Sequence, residues 1–211
     1  MIATSNLPLL LASTIAISLT GVMMPGPVTA VTVTKGSQRK EAGALIALGH
    51  GLVELPLIAL IYLGFDHFLT LAEVKISVGL AGGLLLIWMA LRMFKVRRLV
   101  FDEGKDMSRG CVFAGLVTTV ANPYFFVWWA TVGAALLADA RAFGSTGVVA
   151  LGATHWLCDL GWLFLVSWAV FKSRRLWTQR VHRVVFSVCA VILAGFGAWF
   201  IFSGLDLAIR S

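Results

Sequence analysis

Charged residues are scarce in this chain of 211 residues, because Asp, Glu, Lys and Arg together make up only 13% of it. Hydrophobic residues make up 59%. A soluble globular domain has about a quarter charged residues and about half apolar residues. The composition therefore excludes a soluble domain and predicts an all-α polytopic membrane protein with one transmembrane domain over residues 1–211.

Cysteine is also rare, and its placement excludes two further classes of site. Cys111, Cys158 and Cys189 are odd in number, dispersed and set in apolar runs. We therefore expect small buried hydrophobes, not a disulfide framework or a cysteine metal cluster. The sequence also lacks phosphate-binding glycine loops, nucleotide motifs and hydrolytic triads. It is not expected to be an enzyme or to hold a resident cofactor.

Basic residues are absent from the first 34 positions, since the first is Lys35. A secretory signal peptide begins with a positive region, so we expect a retained first span. Further apolar windows of about 20 residues predict six spans in total. They cover residues 8–34, 42–63, 71–90, 110–138, 147–171 and 184–203.

Fourteen of the 17 basic residues fall in the connections 35–41, 92–109 and 172–183. The basic residues are thus grouped in short connections between spans and do not form one patch with interleaved aromatics, which argues against a nucleic-acid partner. By the positive-inside rule these three connections lie in the cytoplasm, so both termini are predicted outside.

Three spans in each half, entering from opposite faces, predict an inverted repeat over about 7–94 and 110–205. In span two Ala47-Leu48-Gly49 precedes His50, and in span five Ala150-Leu151-Gly152 comes shortly before His155. Prolines interrupt spans one and four. Chance similarity between apolar segments is the alternative.

The interruptions predict half-helices that begin inside the membrane. Two prolines flank a glycine in span one, and an asparagine, a good N-cap, precedes a proline in span four. Free N–H groups and the positive end of a helix dipole form an anion site. A packing kink is the alternative. The candidate substrate-binding residues here are Pro25, Gly26, Pro27, Thr29, Asn122 and Pro123.

Two histidine–carboxylate pairs lie within the spans: His50 with Glu54, and His155 with Asp159. A spacing of four residues places each pair on one helix face. Ionisable groups at membrane depth cost about 2.5–3.5 kcal/mol each, so they mark solute or proton pathways. We expect the two carboxylates to meet and to bind an ammonium group or a coupling proton. A pair that only locks the repeats together is the alternative.

Half-helix N-termini for a carboxylate and acids for an ammonium describe a zwitterion site, which predicts amino acids as the substrate. His50, Glu54, His155 and Asp159 also form a set of two nitrogens and two oxygens acceptable to a divalent metal. Among the tryptophans, only Trp128 or Trp156 is expected to contact the substrate. A scaffold without a cavity is a third possibility.

The arrangement of motifs resembles the LysE superfamily of amino-acid exporters. The resemblance rests on Pro25-Gly26-Pro27, Lys35-Gly36, Ala42-Gly43, Ala47-Leu48-Gly49, Lys75 with Gly79 and Gly83, and Asn122-Pro123. It implies a six-helix, proton-driven exporter of the cytoplasmic membrane of a prokaryote, acting as a homodimer. Related branches export divalent metals. Gly79 and Gly83 also predict close helix packing, within the protomer or at a dimer face.

Overall fold

A computed structural model describes residues 6–24, 26–64, 71–96, 107–176 and 179–210. Within these ranges the chain is helical and has no β-strand. The helices are α1 (Leu7–Val22), α2 (Pro27–Gly36), α3 (Ala42–Tyr62), α4 (Ala72–Val96), α5 (Met107–Val120), α6 (Pro123–Trp128), α7 (Ala134–Arg141), α8 (Gly144–Ser173) and α9 (Gln179–Arg210). A π-helical turn, Trp129–Gly133, joins α6 to α7, and a 3-10 turn, Arg174–Leu176, follows α8.

Four of these helices, α3, α4, α8 and α9, are long and apolar enough to cross a membrane. Two further candidate spans are bent pairs. The axes of α1 and α2 meet at 76°, and those of α5 and the segment Pro123–Arg141 meet at 62°. If each bent pair counts as one span, the described chain has up to six, as the sequence predicts.

Both breaks lie where the sequence predicts them. Asn122 has extended backbone geometry, its side chain accepts a hydrogen bond from the Tyr124 N–H at 3.2 Å, and Pro123 begins α6. The predicted N-cap is therefore confirmed. At the first break Gly26 is the extended N-cap of α2 and Pro27 is its first residue. Pro25 lies outside the described residues.

Glycines allow the helices around the centre to approach closely. A Cβ at Gly43 would collide with the carbonyl oxygen of Leu163, which brings α3 against α8. A Cβ at Gly49 would likewise collide with the carbonyl oxygen of Val112, which brings α3 against α5. The helix α3 thus lies between α5 and α8, and α8 also packs against α1 and α2.

The glycines of α4 face α9 of the same chain. A Cβ at Gly83 would lie 2.6 Å from the Gly197 carbonyl oxygen, and a Cβ at Gly197 would lie 2.7 Å from that of Gly83. Gly79 lies beside Phe200 and Gly204. Of the two predicted uses of Gly79 and Gly83, packing within the protomer is therefore the one observed.

Two arginines join helix ends at opposite ends of the bundle. Arg174, after α8, donates to the carbonyl oxygens of Ser37 and Gln38 at 3.3 and 3.2 Å. Arg141, at the end of α7, donates to the carbonyl oxygens of Ile61 and Tyr62 at 3.0 and 2.9 Å. The connection after α2 and the connection after α8 therefore share one end of the molecule.

Candidate functional site

A cavity of about 110 Å³ lies between the two helix breaks. That volume accommodates several water molecules or a small solute. Its wall is largely apolar and aromatic with a few convergent polar groups, as in most small-molecule sites. The lining residues are Gly21, Val22, Met24, Gly26, Pro27, Val28, Thr29, His50, Glu54, Asn122, Tyr124, Phe125, Trp128, Trp129, His155, Asp159, Leu163 and Phe196.

Glu54 is the centre of the polar cluster and is fully buried. Its Oε1 atom lies 3.1 Å from His50 Nε2 and 3.1 Å from His155 Nε2. Trp129 Nε1 donates to the same oxygen at 3.2 Å. Three nitrogen atoms from α3, α8 and the π-helical turn therefore converge on one carboxyl oxygen.

Asp159 completes the cluster but is held more loosely. Its Oδ2 atom lies 3.5 Å from His155 Nε2 and 3.9 Å from His50 Nε2, distances suited to ion pairing but without hydrogen-bond geometry. Asp159 Oδ2 and Glu54 Oε2 are buried and have no hydrogen-bond donor among the described residues. Buried polar atoms are normally hydrogen-bonded, so these two oxygens are well placed to accept bonds from a solute.

Hydroxyl groups hold the outer nitrogens of both histidines. Thr119 Oγ1 lies 2.8 Å from His50 Nδ1, and Ser18 Oγ lies 2.7 Å from His155 Nδ1. Thr119 donates its only proton to the Gly115 carbonyl oxygen at 2.7 Å, so it accepts a hydrogen bond from His50 Nδ1. The contact between His50 Nε2 and Glu54 Oε1 then needs one more proton, which either atom can carry.

Aromatic rings fix the orientation of the two imidazoles. The rings of Trp128 and His155 are 4.9 Å apart and tilted by 30°, and Trp129 meets His155 edge to face at 5.0 Å. Phe125 meets His50 edge to face at 5.3 Å. These contacts favour specific geometry and leave the Nε2 atoms directed at the carboxylates.

The start of α2 also lines the cavity. Gly26 provides no side-chain cap, and Pro27 has no N–H group. The Val28 and Thr29 N–H groups belong to the first turn of α2, and N–H groups of a first turn have no hydrogen-bond acceptor inside the helix. The start of α6 differs, because the Asn122 side chain already accepts one first-turn N–H group.

Eight of the ten predicted site residues line this cavity: Gly26, Pro27, Thr29, His50, Glu54, Asn122, His155 and Asp159. Pro123 begins α6 but is not part of the lining, and Pro25 lies outside the described residues. Of the two tryptophans considered, Trp128 lines the cavity. Trp156 does not, because its Nε1 donates to the Ala47 carbonyl oxygen at 3.0 Å and joins α8 to α3.

Sequence reasoning missed Ser18 and Trp129 as parts of the site, and it did not assign Thr119 a partner. Ser18 and Thr119 are fully buried, and Trp129 is 1% exposed. The available signals were a hydroxyl group inside an apolar span and a tryptophan shortly after the Asn-Pro break.

Part of the cluster has the spacing of a metal-ligand set. Each of His50, Glu54 and Asp159 offers one possible metal-ligand atom, and these three atoms lie within 4.8 Å of one another. His155, the fourth residue of the predicted ligand set, is not part of that group, although its Nε2 is close to both carboxylates.

Comparison with known proteins gives two matches. The sequence profile of the family described as LysE type translocator matches residues 19–204. The chemotactic transduction protein ChpE of Pseudomonas aeruginosa is 27% identical over 181 residues, which cover 81% of this chain and 87% of that protein. No solved structure matches the chain.

Proposed function

Because the chain belongs to the LysE type translocator family, we propose that it is a secondary active exporter of amino acids or close derivatives. The family and the helical fold make it a multi-pass membrane translocator of a small molecule, not an enzyme. The observation that carries the proposal is the buried cluster of two histidines and two acids, which faces a cavity bounded by both helix breaks.

The acidic part of the cavity suits an ammonium group. Glu54 Oε2 and Asp159 Oδ2 are buried acceptors without a described donor. An ammonium group has three donors and no acceptor. The Trp128 ring on the same wall can add a cation–π contact. We therefore place the amino group of the substrate between the two carboxylates.

The start of α2 suits a carboxylate. Val28 and Thr29 present first-turn N–H groups at the positive end of the helix dipole. Discontinuous helices bind anionic substrate groups in this way in other transporters. We therefore place the substrate carboxylate at Gly26–Thr29, in the same cavity as the ammonium site.

Alternating access by two inverted repeats, 7–94 and 110–205, is the proposed mechanism. A reciprocal pattern of contacts supports it. His50 of span two bonds Thr119 of span four, and His155 of span five bonds Ser18 of span one. Exchange of the two halves converts each contact into the other, as an inverted repeat requires.

Coupling to protons is assigned to Glu54, which is hydrogen-bonded to His50, and to Asp159, whose Oδ2 lies 3.5 Å from His155 Nε2, because each acid can exchange a proton with a neighbouring histidine. The proposal is tested with purified protein in liposomes that carry a pH gradient and are loaded with candidate amino acids. Glu54→Gln and Asp159→Asn should abolish gradient-driven transport. Asp206→Asn is the matched control, because Asp206 pairs with Arg210 at an exposed position outside the cavity. Unchanged transport in both cluster variants would refute the assignment.

Divalent metal export is the second candidate, and the spacing of His50, Glu54 and Asp159 favours it. In that case the three residues, joined by His155, would bind the metal as substrate. The positive end of α2 on the same wall argues against a cation. Calorimetry with Mn²⁺, Zn²⁺ and an amino acid mixture distinguishes the two candidates. If the protein binds a metal but no amino acid, and Glu54→Gln removes the metal binding, metal export replaces the first proposal.

The cytoplasmic membrane of a prokaryote is the proposed location, with both termini outside. The distribution of basic residues supports this orientation. Alkaline phosphatase fused to the C-terminus should be active, and the same enzyme inserted after Gln38 should be inactive. The family resemblance also implies a homodimer, which cross-linking in native membranes tests.

A further inference from the structure

A lateral groove runs between α2 and the first half of α9. It is a cavity of about 270 Å³ whose walls include Ala30, Val33, Val184, Val188, Cys189 and Ile192. Gly26 and Thr29 line both this groove and the central cavity, so the groove ends at the helix break. The lining is almost wholly aliphatic, which excludes a polar solute as its occupant.

The other end of the groove meets positive charge. The open surface of α9 beside the groove shares Val184, Val188 and Ile192 with it and adds Arg180 and Arg183. Both arginines are exposed and lie one turn apart near the start of α9. The groove is thus an aliphatic strip that ends at two guanidinium groups.

We propose that the α2–α9 groove binds an anionic phospholipid of the cytoplasmic leaflet. The lipid phosphate would lie between Arg180 and Arg183, and one acyl chain would follow Val184, Val188 and Ile192 toward Gly26. Guanidinium groups pair with phosphate through two parallel hydrogen bonds and keep their charge at all relevant pH values.

The dimensions agree with a lipid. Arg183 and Ile192 are nine residues apart on one helix, which is about 14 Å at 1.5 Å per residue. One leaflet of a bilayer has a hydrocarbon depth of about 15 Å. Val184 and Val188 are 55% and 52% exposed, so the strip opens outward to the surrounding membrane.

The electrostatics select an anionic headgroup. Arg180 and Arg183 belong to the predicted basic connection 172–183. Arg174 of that connection contacts the segment after α2, which contains Arg39 and Lys40 and follows Lys35 in the last turn of α2. Basic pockets between helices at the cytoplasmic side attract anionic lipids. Each arginine is expected to increase the lipid affinity about fivefold, which is equivalent to about 1 kcal/mol.

A lipid in this groove would touch the helix that forms part of the central site. Thr29, Ala30 and Val33 belong to α2, and Gly26 and Thr29 also face the central cavity. Movement of α2 during transport would therefore require the lipid chain to move or leave. This inference concerns lipid binding alone and does not depend on which solute is exported.

Native mass spectrometry of the purified full chain tests the proposal, with phosphatidylglycerol and phosphatidylcholine added in equal amounts. The wild type should retain phosphatidylglycerol in preference to phosphatidylcholine. Arg180→Gln should reduce that preference about fivefold, and Arg180→Gln with Arg183→Gln about 25-fold. Val188→Trp, which fills the groove, should reduce binding of both lipids.

Two controls complete the test. Arg210→Gln removes an exposed arginine that lies at the far end of α9, and Leu205→Trp enlarges an exposed side chain near it. Neither should change lipid retention. The proposal is overturned if the double arginine variant keeps the lipid preference, if Arg210→Gln lowers it equally, or if inorganic phosphate displaces phosphatidylglycerol while Val188→Trp has no effect.

Discussion

The sharpest test of the proposed carboxylate site is Gly26→Asn. Gly26 is the N-cap of α2, its backbone is extended, with φ −152° and ψ −171°, and any residue can adopt that conformation. Among the described residues other than its chain neighbours, a Cβ at this position has only the Met24 carbonyl oxygen within 4 Å, at 3.9 Å. An asparagine side chain therefore fits, and its oxygen can accept the Val28 or Thr29 N–H group.

The expected effects on stability and on binding have opposite signs. An asparagine N-cap stabilises a helix by a few tenths of a kcal/mol more than a glycine N-cap does, so the free energy of unfolding should rise slightly. The same cap uses an N–H group that we assign to the substrate carboxylate. A hydrogen bond to a charged group contributes about 1.5–3 kcal/mol, so substrate affinity should fall by roughly 10- to 100-fold.

Two measurements on purified protein test this prediction. Thermal unfolding in detergent reports the stability, and calorimetry reports the affinity for amino acids. Gly26→Ala is the matched control, because it adds the Cβ without a cap oxygen and should keep most of the affinity while lowering stability. Equal affinity for wild type and Gly26→Asn would show that the start of α2 does not bind the substrate.

Three further predictions, for Thr119, Gly43 and Trp129, concern the packing and the polar cluster and are measured by thermal unfolding in detergent. Thr119→Val removes the acceptor of His50 Nδ1 and should lower the free energy of unfolding by about 0.6–1.7 kcal/mol, whereas Thr119→Ser should keep it; equal losses would contradict the assigned bond. Gly43→Ala should cost about 1–3 kcal/mol because its Cβ meets a backbone carbonyl. Gly161→Ala, with nothing within 4 Å of its Cβ, should be neutral or stabilising, and a loss there would refute the packing argument. Trp129→Phe removes a donor to Glu54 and should cost about 1 kcal/mol or more; an unchanged midpoint would exclude that bond.

Local chemistry explains why the helix breaks could be predicted from sequence. Proline removes a backbone donor, and asparagine before proline caps a helix, whatever the helix packs against. Asn122 accordingly caps α6. The positions of His50 and Glu54 on one face follow equally from helical periodicity. These features depend on residues within one or two turns, so one sequence suffices.

Contacts between distant helices could not be predicted in this way. Ser18 and His155 are 137 residues apart, and their contact depends on the rotation of α1 against α8. Trp129 reaches Glu54 from a π-helical turn, which shifts the side chains relative to a regular α-helix. Which of Trp128 and Trp156 lines the cavity likewise depends on helix rotation, because both are tryptophans in apolar spans.

The two halves of the chain share a pattern of contacts, but the site between them is chemically asymmetric. Glu54 Oε1 faces three nitrogen atoms, whereas Asp159 Oδ2 has no hydrogen-bond donor among the residues described. The start of α6 carries a side-chain cap, and the start of α2 carries none. Acceptors without a described donor thus lie on both halves, at Glu54 Oε2 and Asp159 Oδ2, whereas a helix start without a side-chain cap lies on the first half. A symmetric site would bind a zwitterion in either of two orientations. For the zwitterion that we propose as substrate, this asymmetry favours one orientation, with the ammonium between the two carboxylates and the carboxylate toward α2.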